Sequence, residues 1–186
     1  MIIGLTGGIG GGKSRISREL IRRGYTVYDC DREAKRIIVE NPDVRVAIIA
    51  LLGEEAFEGE RYNTQYVAQK VFGHKELLEG INKIVHPAVK EDIVAKQPDF
   101  VESAILYEAG IDALCDKVIV IDAPEEIRIE RTIGRDYNGV MSEENIAKVR
   151  ARMRAQKTHK GDLVVLNDGL TPTPQVVNNI LAWLRK

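Results

Sequence analysis

The stretch Gly7-Gly8-Ile9-Gly10-Gly11-Gly12-Lys13-Ser14, called here the phosphate loop, fits the pattern GxxxxGK[ST] without a gap. An apolar run at residues 1–6 predicts a buried strand before it, and apolar residues at helical spacing in residues 13–23 predict a helix after it. Strand, glycine loop and helix form the context that this pattern requires. The stretch therefore predicts an α/β fold that binds nucleotide phosphates, and its spacing excludes the dinucleotide pattern GxGxxG.

Each part of the phosphate loop has an expected role. Glycines let backbone N–H groups turn toward phosphate oxygens, and the N-terminus of the following helix adds a positive partial charge. Lys13 is expected to reach the β- and γ-phosphates, and the Ser14 hydroxyl is expected to ligate Mg²⁺. ATPases, GTPases and small-molecule kinases all remain open at this point. The expected ATP-binding residues of the loop are Gly8, Gly10, Gly11, Gly12, Lys13 and Ser14.

Composition narrows the class of protein. The 186 residues, 44% hydrophobic and 30% charged, suit one globular domain. Lys and Arg total 27 against 28 for Asp and Glu, which argues against a dedicated nucleic-acid binder. Two cysteines, Cys30 and Cys115, are too few to stabilise a secreted fold, and no stretch reaches the roughly 18 apolar residues of a membrane span. We therefore expect a cytoplasmic protein with neither nucleic acid nor membrane as partner.

The rest of the chain alternates strand and helix patterns. Further strands are predicted at residues 25–28, 100–106, 118–121 and 163–166. Between Glu54 and Gln97 no stretch indicates a buried strand, which predicts an all-helical insertion, and Asp43 is expected to cap a helix that ends at Gly53. Strands alternating with helices predict a parallel sheet covered by helices on both faces, with ligands at the carboxyl ends of its strands.

Two aspartates follow the second predicted strand. Alternation along a strand would place Asp29 and Asp31 on the same face, so that one carboxylate positions an attacking hydroxyl and the other accepts its proton. The alternative is that they lie in a solvated loop or cap the helix that begins near Arg32.

Three arginines recur at helical spacing in the segment after the fourth strand. Arg128, Arg131 and Arg135 are three and four residues apart and lie near one helix face. For Arg128 we expect a solvated face paired with Glu126 and Glu130. For Arg131 and Arg135 we expect contact with ATP, where they would neutralise charge on the transferred phosphoryl group.

Other functions on the same scaffold stay open from the residues alone. Val118-Ile119-Val120-Ile121-Asp122 is a hydrophobic strand that ends in an aspartate, as in a nucleotide-switch or mechanical ATPase that acts through a partner. Another small-molecule or nucleoside monophosphate kinase would differ only in the insertion.

The chain contains, in this order, GLTGGIGGGKS, Asp29-Cys30-Asp31, Ile84-Val85-His86-Pro87, Ile105-Leu106-Tyr107-Glu108, Arg131 with Arg135, Gln156 and Asn167-Asp168-Gly169. Together these pieces resemble the dephospho-CoA kinase family over nearly the whole chain. The resemblance implies a nucleoside-monophosphate-kinase-like three-layer fold with a five-stranded parallel sheet, a helical acceptor-binding insertion and a lid. It also implies transfer of the γ-phosphoryl group of ATP to the ribose 3′-hydroxyl of dephospho-CoA, the last step of coenzyme A synthesis, with Mg²⁺.

The same resemblance implies roles for single residues. Asp31 corresponds to the general base, and Lys13 and Arg135 would act with it on the transferred group. Acceptor-binding residues would be Asp29, Asp31, His86 and Glu108, the last at the end of a central strand. Lid and adenine-side contacts to ATP would come from Arg131, Arg135, Asn167 and Gly169.

The resemblance also implies how the domain is divided, and the chain departs from it in places. Within a single domain 1–186, the core would be 1–33 and 98–186, the insertion about 34–97 and the lid about 128–150, in a monomer or weak homo-oligomer. Where the family usually has serine in the loop this chain has Gly11, and where it commonly has threonine after the loop serine this chain has Arg15. Thr64 stands where an acceptor-binding arginine is frequent.

Overall fold

A computed structural model describes residues 1–156 and 160–186. The chain divides into two compact units, one made of Met1–Val27 and Pro98–Lys186 and the other of Tyr28–Gln97. The strands are β1 (Ile3–Thr6), β2 (Val27–Asp29), β3 (Phe57–Glu58), β4 (Arg61–Tyr62), β5 (Phe100–Glu102), β6 (Lys117–Asp122) and β7 (Leu163–Leu166). The helices are α1 (Lys13–Arg22), α2 (Cys30–Glu40), α3 (Pro42–Leu52), α4 (Thr64–Val71), α5 (Lys75–Lys96), α6 (Glu125–Asp136), α7 (Glu143–Ala155) and α8 (Thr173–Leu184).

The main sheet has the order β2-β5-β1-β6-β7. β1 pairs in parallel with β5 and β6, and β6 pairs in parallel with β7. Leu5 at the centre of the sheet is fully buried, and α1 and α8 pack on each other and on this apolar core. The predicted α/β fold with a five-stranded parallel sheet is confirmed.

The strand predicted at residues 100–106 is too long. β5 ends at Glu102, and turns follow in which Ile105 N donates to Ser103 Oγ at 3.2 Å and Ala109 N donates to Ile105 O at 2.9 Å. Leu106 is nevertheless fully buried. The apolar run therefore reflects burial of a turn rather than continued strand, which periodicity alone does not distinguish.

The second unit is helical except for one hairpin. β3 and β4 pair antiparallel, with Phe57 opposite Tyr62, so the expectation of an all-helical insertion is wrong at this point. Each strand has only two residues, which is too short to show an alternating pattern. The turn between them contains Gly59 with φ of 60°.

The cap of α3 also differs from the prediction. The Asn41 side chain, not Asp43, caps this helix by accepting hydrogen bonds from the backbone N–H groups of Asp43 and Val44. Pro42 follows the cap at the first helical position, where its missing N–H group costs no hydrogen bond. α3 and α2 both pack on α5. Over the described ranges, no helix combines the length and the apolar character that crossing a bilayer requires.

Candidate active site

The phosphate loop leaves the end of β1, enters α1 and packs against the backbone of β6. Gly7 has φ of 144°, and a Cβ atom there would lie 2.0 Å from the carbonyl oxygen of Ile121, so only glycine fits. Gly12, the residue before α1, has φ of 96° and brings no side chain to cap the helix. The N–H groups of the first turn of α1 thus form the type of helix N-terminus that binds anions.

Lys13 and Ser14 are both held at this loop. The Lys13 ammonium donates to the carbonyl oxygens of Gly7, at 2.7 Å, and Gly8, at 3.4 Å. The Ser14 hydroxyl donates to Glu102 Oε1 at 3.0 Å. Both side chains that the loop pattern predicts to act on the nucleotide are therefore held in place: the Lys13 ammonium on loop carbonyl oxygens and the Ser14 hydroxyl on a carboxylate.

Glu102 is a site residue that the sequence analysis missed. It is the last residue of β5, the strand next to β1, and is only 9% exposed. The overlong strand prediction moved the expected acidic strand end to Glu108. The available signal was an acidic residue directly after the apolar pair Phe100 and Val101.

Asp122 does not take the place of that carboxylate. It ends β6, accepts a hydrogen bond from Ala123 N at 2.9 Å, and lies 3.7 Å from an Arg128 nitrogen. The carboxylate that Ser14 contacts belongs to β5 on the other side of β1. This arrangement gives no support to a switch ATPase that would use Asp122 on the metal.

Arg128 lies against the phosphate loop rather than on a solvated helix face. Its Nε donates to the carbonyl oxygen of Ile9 at 2.9 Å, and its side chain is 19% exposed. The expected pairing with Glu126 and Glu130 is therefore wrong. Helical spacing shows which residues share a face but not what that face contacts, and here the face meets the loop.

Arg131 and Asn167 hold the next part of the loop. Arg131 Nη1 lies 3.3 Å from the carbonyl oxygens of both Gly10 and Gly11. The buried Asn167 side chain donates to Gly11 O at 2.9 Å. The structure thus brings these two predicted residues to the phosphate loop.

Arg135 is not brought to the loop. It is exposed and forms an ion pair with Asp136 at 2.6 Å, and Arg152 contacts the same carboxylate at 2.7 Å. Hydrogen bonds from Arg135 and then Arg152 lower the pKa of Asp136 to about 2. α6 and α7 otherwise share a small core of Ile129, Ile133 and Val149.

A cavity of about 590 Å³ opens beside the loop, within the first unit. Arg15 and Arg131 line it together with Gly169, Leu170 and Met141. Cations next to apolar side chains suit a ligand with an anionic part and a flat apolar part.

Gln156 makes a further contact with the phosphate loop, and the sequence analysis gave this residue no role. Its Oε1 atom accepts a hydrogen bond from Ile9 N at 2.8 Å.

Asp29 and Asp31 belong to the second unit, and the structure gives them different positions. β2 ends at Asp29, whose carboxylate caps α2 by accepting from the N–H groups of Asp31 and Arg32 at 3.1 Å. Asp31 is exposed in the first turn of α2. Strand alternation does not apply, because the chain becomes helical at Cys30.

His86 and Glu108 complete the predicted acceptor side. His86 is half-buried in α5 of the second unit, and burial, followed by the nearby Lys90, lowers the pKa of its imidazole. The ring is therefore neutral near neutral pH. Glu108, in the first unit, is exposed in the turns after β5, six residues beyond Glu102, where the strand ends.

The oxygen donors at the loop fit a magnesium ion. Mg²⁺ usually takes one or two protein ligands and completes its shell with substrate phosphates and water. The Ser14 hydroxyl and the Glu102 carboxylate supply such a pair of donors at 3.0 Å from each other. Throughout the described ranges, no group of three or more His, Cys, Asp or Glu side chains forms a metal cage.

Comparison with known proteins agrees with this geometry. The chain matches the family model described as dephospho-CoA kinase over residues 1–173. A dephospho-CoA kinase of Porphyromonas gingivalis is 40% identical over 173 residues, covering 89% of this chain and 85% of that protein. The crystal structure of TT1252 from Thermus thermophilus has a TM-score of 0.78 at 28% identity, covering 100% and 96% of the two chains. A dephospho-CoA kinase structure from Campylobacter jejuni has a TM-score of 0.69 at 22% identity, covering 98% and 96%, and supports the fold.

Proposed function

Because this chain belongs to the dephospho-CoA kinase family, we propose that its phosphate loop binds Mg-ATP while Asp31 accepts the proton of the attacking alcohol. The resemblance noted in the sequence is confirmed over residues 1–173. The chain is a kinase that phosphorylates dephospho-CoA in the final step of coenzyme A synthesis. The roles of individual side chains are the proposed part.

The reaction forms one bond and breaks another. The 3′-oxygen of the acceptor ribose bonds to the γ-phosphorus of ATP, and the bond from that phosphorus to the oxygen bridging the β-phosphate breaks. The electron pair of the broken bond leaves with ADP, and the proton of the alcohol passes to the Asp31 carboxylate. The protein contributes alignment of the two oxygens and neutralisation of charge.

The nucleotide side is proposed from the contacts around the loop. Arg131 and Asn167 hold the carbonyl oxygens of Gly10 and Gly11, which fixes the direction of the loop N–H groups. Lys13 lies over the loop, where its ammonium neutralises the transferred group. Gly169, on the cavity wall with Arg131, faces the base. The complete proposed ATP-binding set is Gly8, Gly10, Gly11, Gly12, Lys13, Ser14, Arg131, Arg135, Asn167 and Gly169.

Ser14 and Glu102 would hold the magnesium ion that accompanies ATP. When bound, Mg²⁺ neutralises the phosphate oxygens that gain charge as the bond to ADP breaks. The hydroxyl of Ser14 would ligate it, and Glu102, which accepts the Ser14 hydrogen bond, would supply a negative charge beside that hydroxyl.

Two residues could serve as the base, and their hydrogen bonds favour Asp31. The Asp29 carboxylate is engaged with two backbone N–H groups at the start of α2. The exposed Asp31 carboxylate accepts no hydrogen bond from any other residue in the part of the chain that the structure describes. We assign the proton transfer to Asp31 and the positioning of its helix turn to Asp29.

The remaining predicted residues belong to the same proposal. His86 and Glu108 bind the acceptor, and Arg135 joins the transferred group when the lid, about residues 128–150, closes over ATP. The exposed position of Arg135 and its pairing with Asp136 at the end of α6 are compatible with a side chain that exchanges partners on closure.

The hydrogen bonds that hold Lys13 and Ser14 at the phosphate loop carry the proposal. Matched aspartate variants test which residue is the base. Asp31→Asn should lower kcat by about 10²–10⁴-fold while calorimetry still detects Mg-ATP binding. Asp29→Asn is the comparison, because asparagine caps helices as well as aspartate, and it should lose less kcat than Asp31→Asn even if acceptor binding weakens. Equal losses in the two variants, or near-normal turnover of Asp31→Asn, would contradict the assignment of the base.

The identity of the acceptor is tested by comparing dephospho-CoA with other alcohols as substrates. Purified protein with Mg-ATP should convert dephospho-CoA to coenzyme A, measured by chromatography. Nucleosides, nucleoside monophosphates and sugar acids serve as comparison acceptors. Faster phosphorylation of one of these, or ATP hydrolysis without coenzyme A formation, would contradict the proposed reaction.

We also propose that the enzyme works as a monomer or weak homo-oligomer in the cytoplasm. Cys30 is buried, and burial raises the pKa of the Cys115 thiol to about 11. A buried cysteine and a thiol of raised pKa are both unreactive, which suits a reducing compartment. Size-exclusion chromatography with light scattering tests the oligomeric state.

A further inference from the structure

Arg15 is a cation in the cavity beside the phosphate loop. It follows Ser14 in the first turn of α1, and its side chain lines the cavity of about 590 Å³ together with Arg131. The proposed function gives Arg15 no role.

Two like charges share this cavity, and one of them has no partner among the residues that the structure describes. Arg131 contacts the carbonyl oxygens of Gly10 and Gly11. The exposed Arg15 side chain makes no hydrogen bond or ion pair with any residue in 1–156 or 160–186. Burial, and then the charge of Arg15, lowers the pKa of Arg131. Two guanidinium groups that line the same cavity favour the binding of an anion there.

The acidic side chains that line the same cavity do not replace an anion as the partner of Arg15. Glu130 and Asp168 also line the cavity and oppose the effect of Arg15 on Arg131. Asp168 Oδ1 is engaged with the backbone N–H groups of Leu170 and Thr171, at 2.9 and 3.4 Å. Neither carboxylate pairs with Arg15.

We infer that Arg15 binds the α-phosphate of ATP from the α1 side of the cavity. The loop N–H groups surround the α- and β-phosphates, and Lys13 serves the β- and γ-phosphates. The α-phosphate is therefore the one for which no side-chain cation is yet assigned, and it connects the phosphate loop to the base in the cavity. This inference rests on the proposed function, because it concerns the same nucleotide site.

The contact belongs to ground-state binding, which sets its expected effect. Arg15→Thr should weaken Mg-ATP binding in calorimetry, and raise the KM for ATP, by about tenfold, which is the range for a hydrogen bond to a charged group. The kcat and the KM for dephospho-CoA should change little, because the contact is the same in the ground and transition states. Arg18→Thr is the matched control: it lies one turn further along α1, is exposed and bonds only to Ser14 O.

Charge and shape are separated by a second variant and by salt. Arg15→Lys keeps the charge and should restore most of the affinity that Arg15→Thr loses. The ATP affinity of Arg15→Thr should also fall less steeply with rising salt than that of the wild type, because one ionic contact is missing. A loss that is independent of salt and is not restored by lysine would mean stacking on the base, and would overturn the assignment to the α-phosphate.

Failure of this inference is distinguishable from failure of the proposed function. If the wild-type chain binds no Mg-ATP, the proposed function is wrong. If the wild type binds Mg-ATP and Arg15→Thr binds it as tightly as Arg18→Thr does, only the role of Arg15 is wrong.

Discussion

Glu102 accepts a hydrogen bond from the Ser14 hydroxyl at 3.0 Å in a nearly buried position. A carboxylate there strengthens the electrostatic attraction for a divalent cation that the hydroxyl ligates. Its neighbour along the chain, Glu108, is exposed and lies beyond the strand.

We predict that Glu102→Gln raises the Mg²⁺ concentration needed for half-maximal activity by about 10–100-fold, the usual effect of removing a residue that supports a metal ligand. Glutamine keeps the shape of the side chain and removes its charge. Glu108→Gln should leave the Mg²⁺ dependence unchanged. An unaltered Mg²⁺ titration curve for Glu102→Gln would show that Glu102 only orients Ser14.

The sequence pattern of the phosphate loop predicted the positions of the side chains that belong to the loop itself. Lys13 and Ser14 lie where the loop pattern predicts them, because loop and helix start are continuous in sequence. Glu102 and Arg128 were missed or misplaced for a common reason. Their partners, Ser14 and Ile9, are 88 and 119 residues away in the chain, and no local periodicity carries that information.

Among the elements, α2 and α5 are joined by a cluster of charges within the second unit. Glu33 is contacted by Arg36 at 2.8 Å and by Lys96 at 2.7 Å. Asp92 accepts from Arg36 and Tyr28 at 2.8 and 2.7 Å. The cluster fixes the helix whose first turn contains the proposed base, although nothing in either helix sequence alone predicts the pairing.

We predict that this cluster makes the second unit sensitive to acid. Hydrogen bonds from Lys96 and then Arg36 lower the pKa of Glu33 from 4.5 to about 2. A carboxyl group whose pKa is lowered by folding stabilises the fold above its unfolded pKa, and this stabilisation is lost as pH falls from about 4.5 towards about 2. The free energy of unfolding, from urea titrations followed by helicity, should fall over that range.

Glu33→Gln tests the origin of the acid sensitivity. It should lower the free energy of unfolding by about 2 kcal/mol near neutral pH, and the difference from the wild type should shrink as pH falls. Glu40→Gln removes only a surface pair with Arg36 and should cost less than about 0.5 kcal/mol at any pH. A difference for Glu33→Gln that does not depend on pH would contradict the prediction.

The α6–α7 pair supplies the second prediction at this scale. Arg135→Gln should lower kcat by about 10–100-fold with little change in the KM for ATP, because the proposed contact forms only with the transferred group. Arg152→Gln is the control, since Arg152 contacts the same Asp136 carboxylate. Similar small effects in both variants would reduce Arg135 to a structural partner of Asp136.

At the scale of the whole molecule, we predict that binding of Mg-ATP raises the thermal stability of the native state. A ligand present at about one hundred times its Kd stabilises the native state by about 2.7 kcal/mol. For a chain of 186 residues this corresponds to a rise in Tm of roughly 5–10 °C. Mg-ATP should produce such a rise in a thermal scan, and Lys13→Met should remove most of it. A full rise in the Lys13→Met protein would show that Lys13 contributes little to nucleotide affinity.

The overall topology was predictable only in part. Alternating strand and helix patterns predicted the parallel sheet, whereas its five strands followed from the family resemblance. The order β2-β5-β1-β6-β7 places β5, which follows the whole second unit in sequence, directly beside β1. That neighbour supplies Glu102, so one of the two side chains proposed to hold Mg²⁺ depends on a pairing between distant segments.

The close approach of Gly7 to the backbone of β6 affects the free energy of nucleotide binding. Because Gly7 packs directly on the backbone of β6, the sheet imposes the curvature of the loop before the ligand arrives. We therefore expect few backbone torsions to lose freedom when the nucleotide binds. Association at this end of the molecule should therefore carry a small conformational entropy penalty.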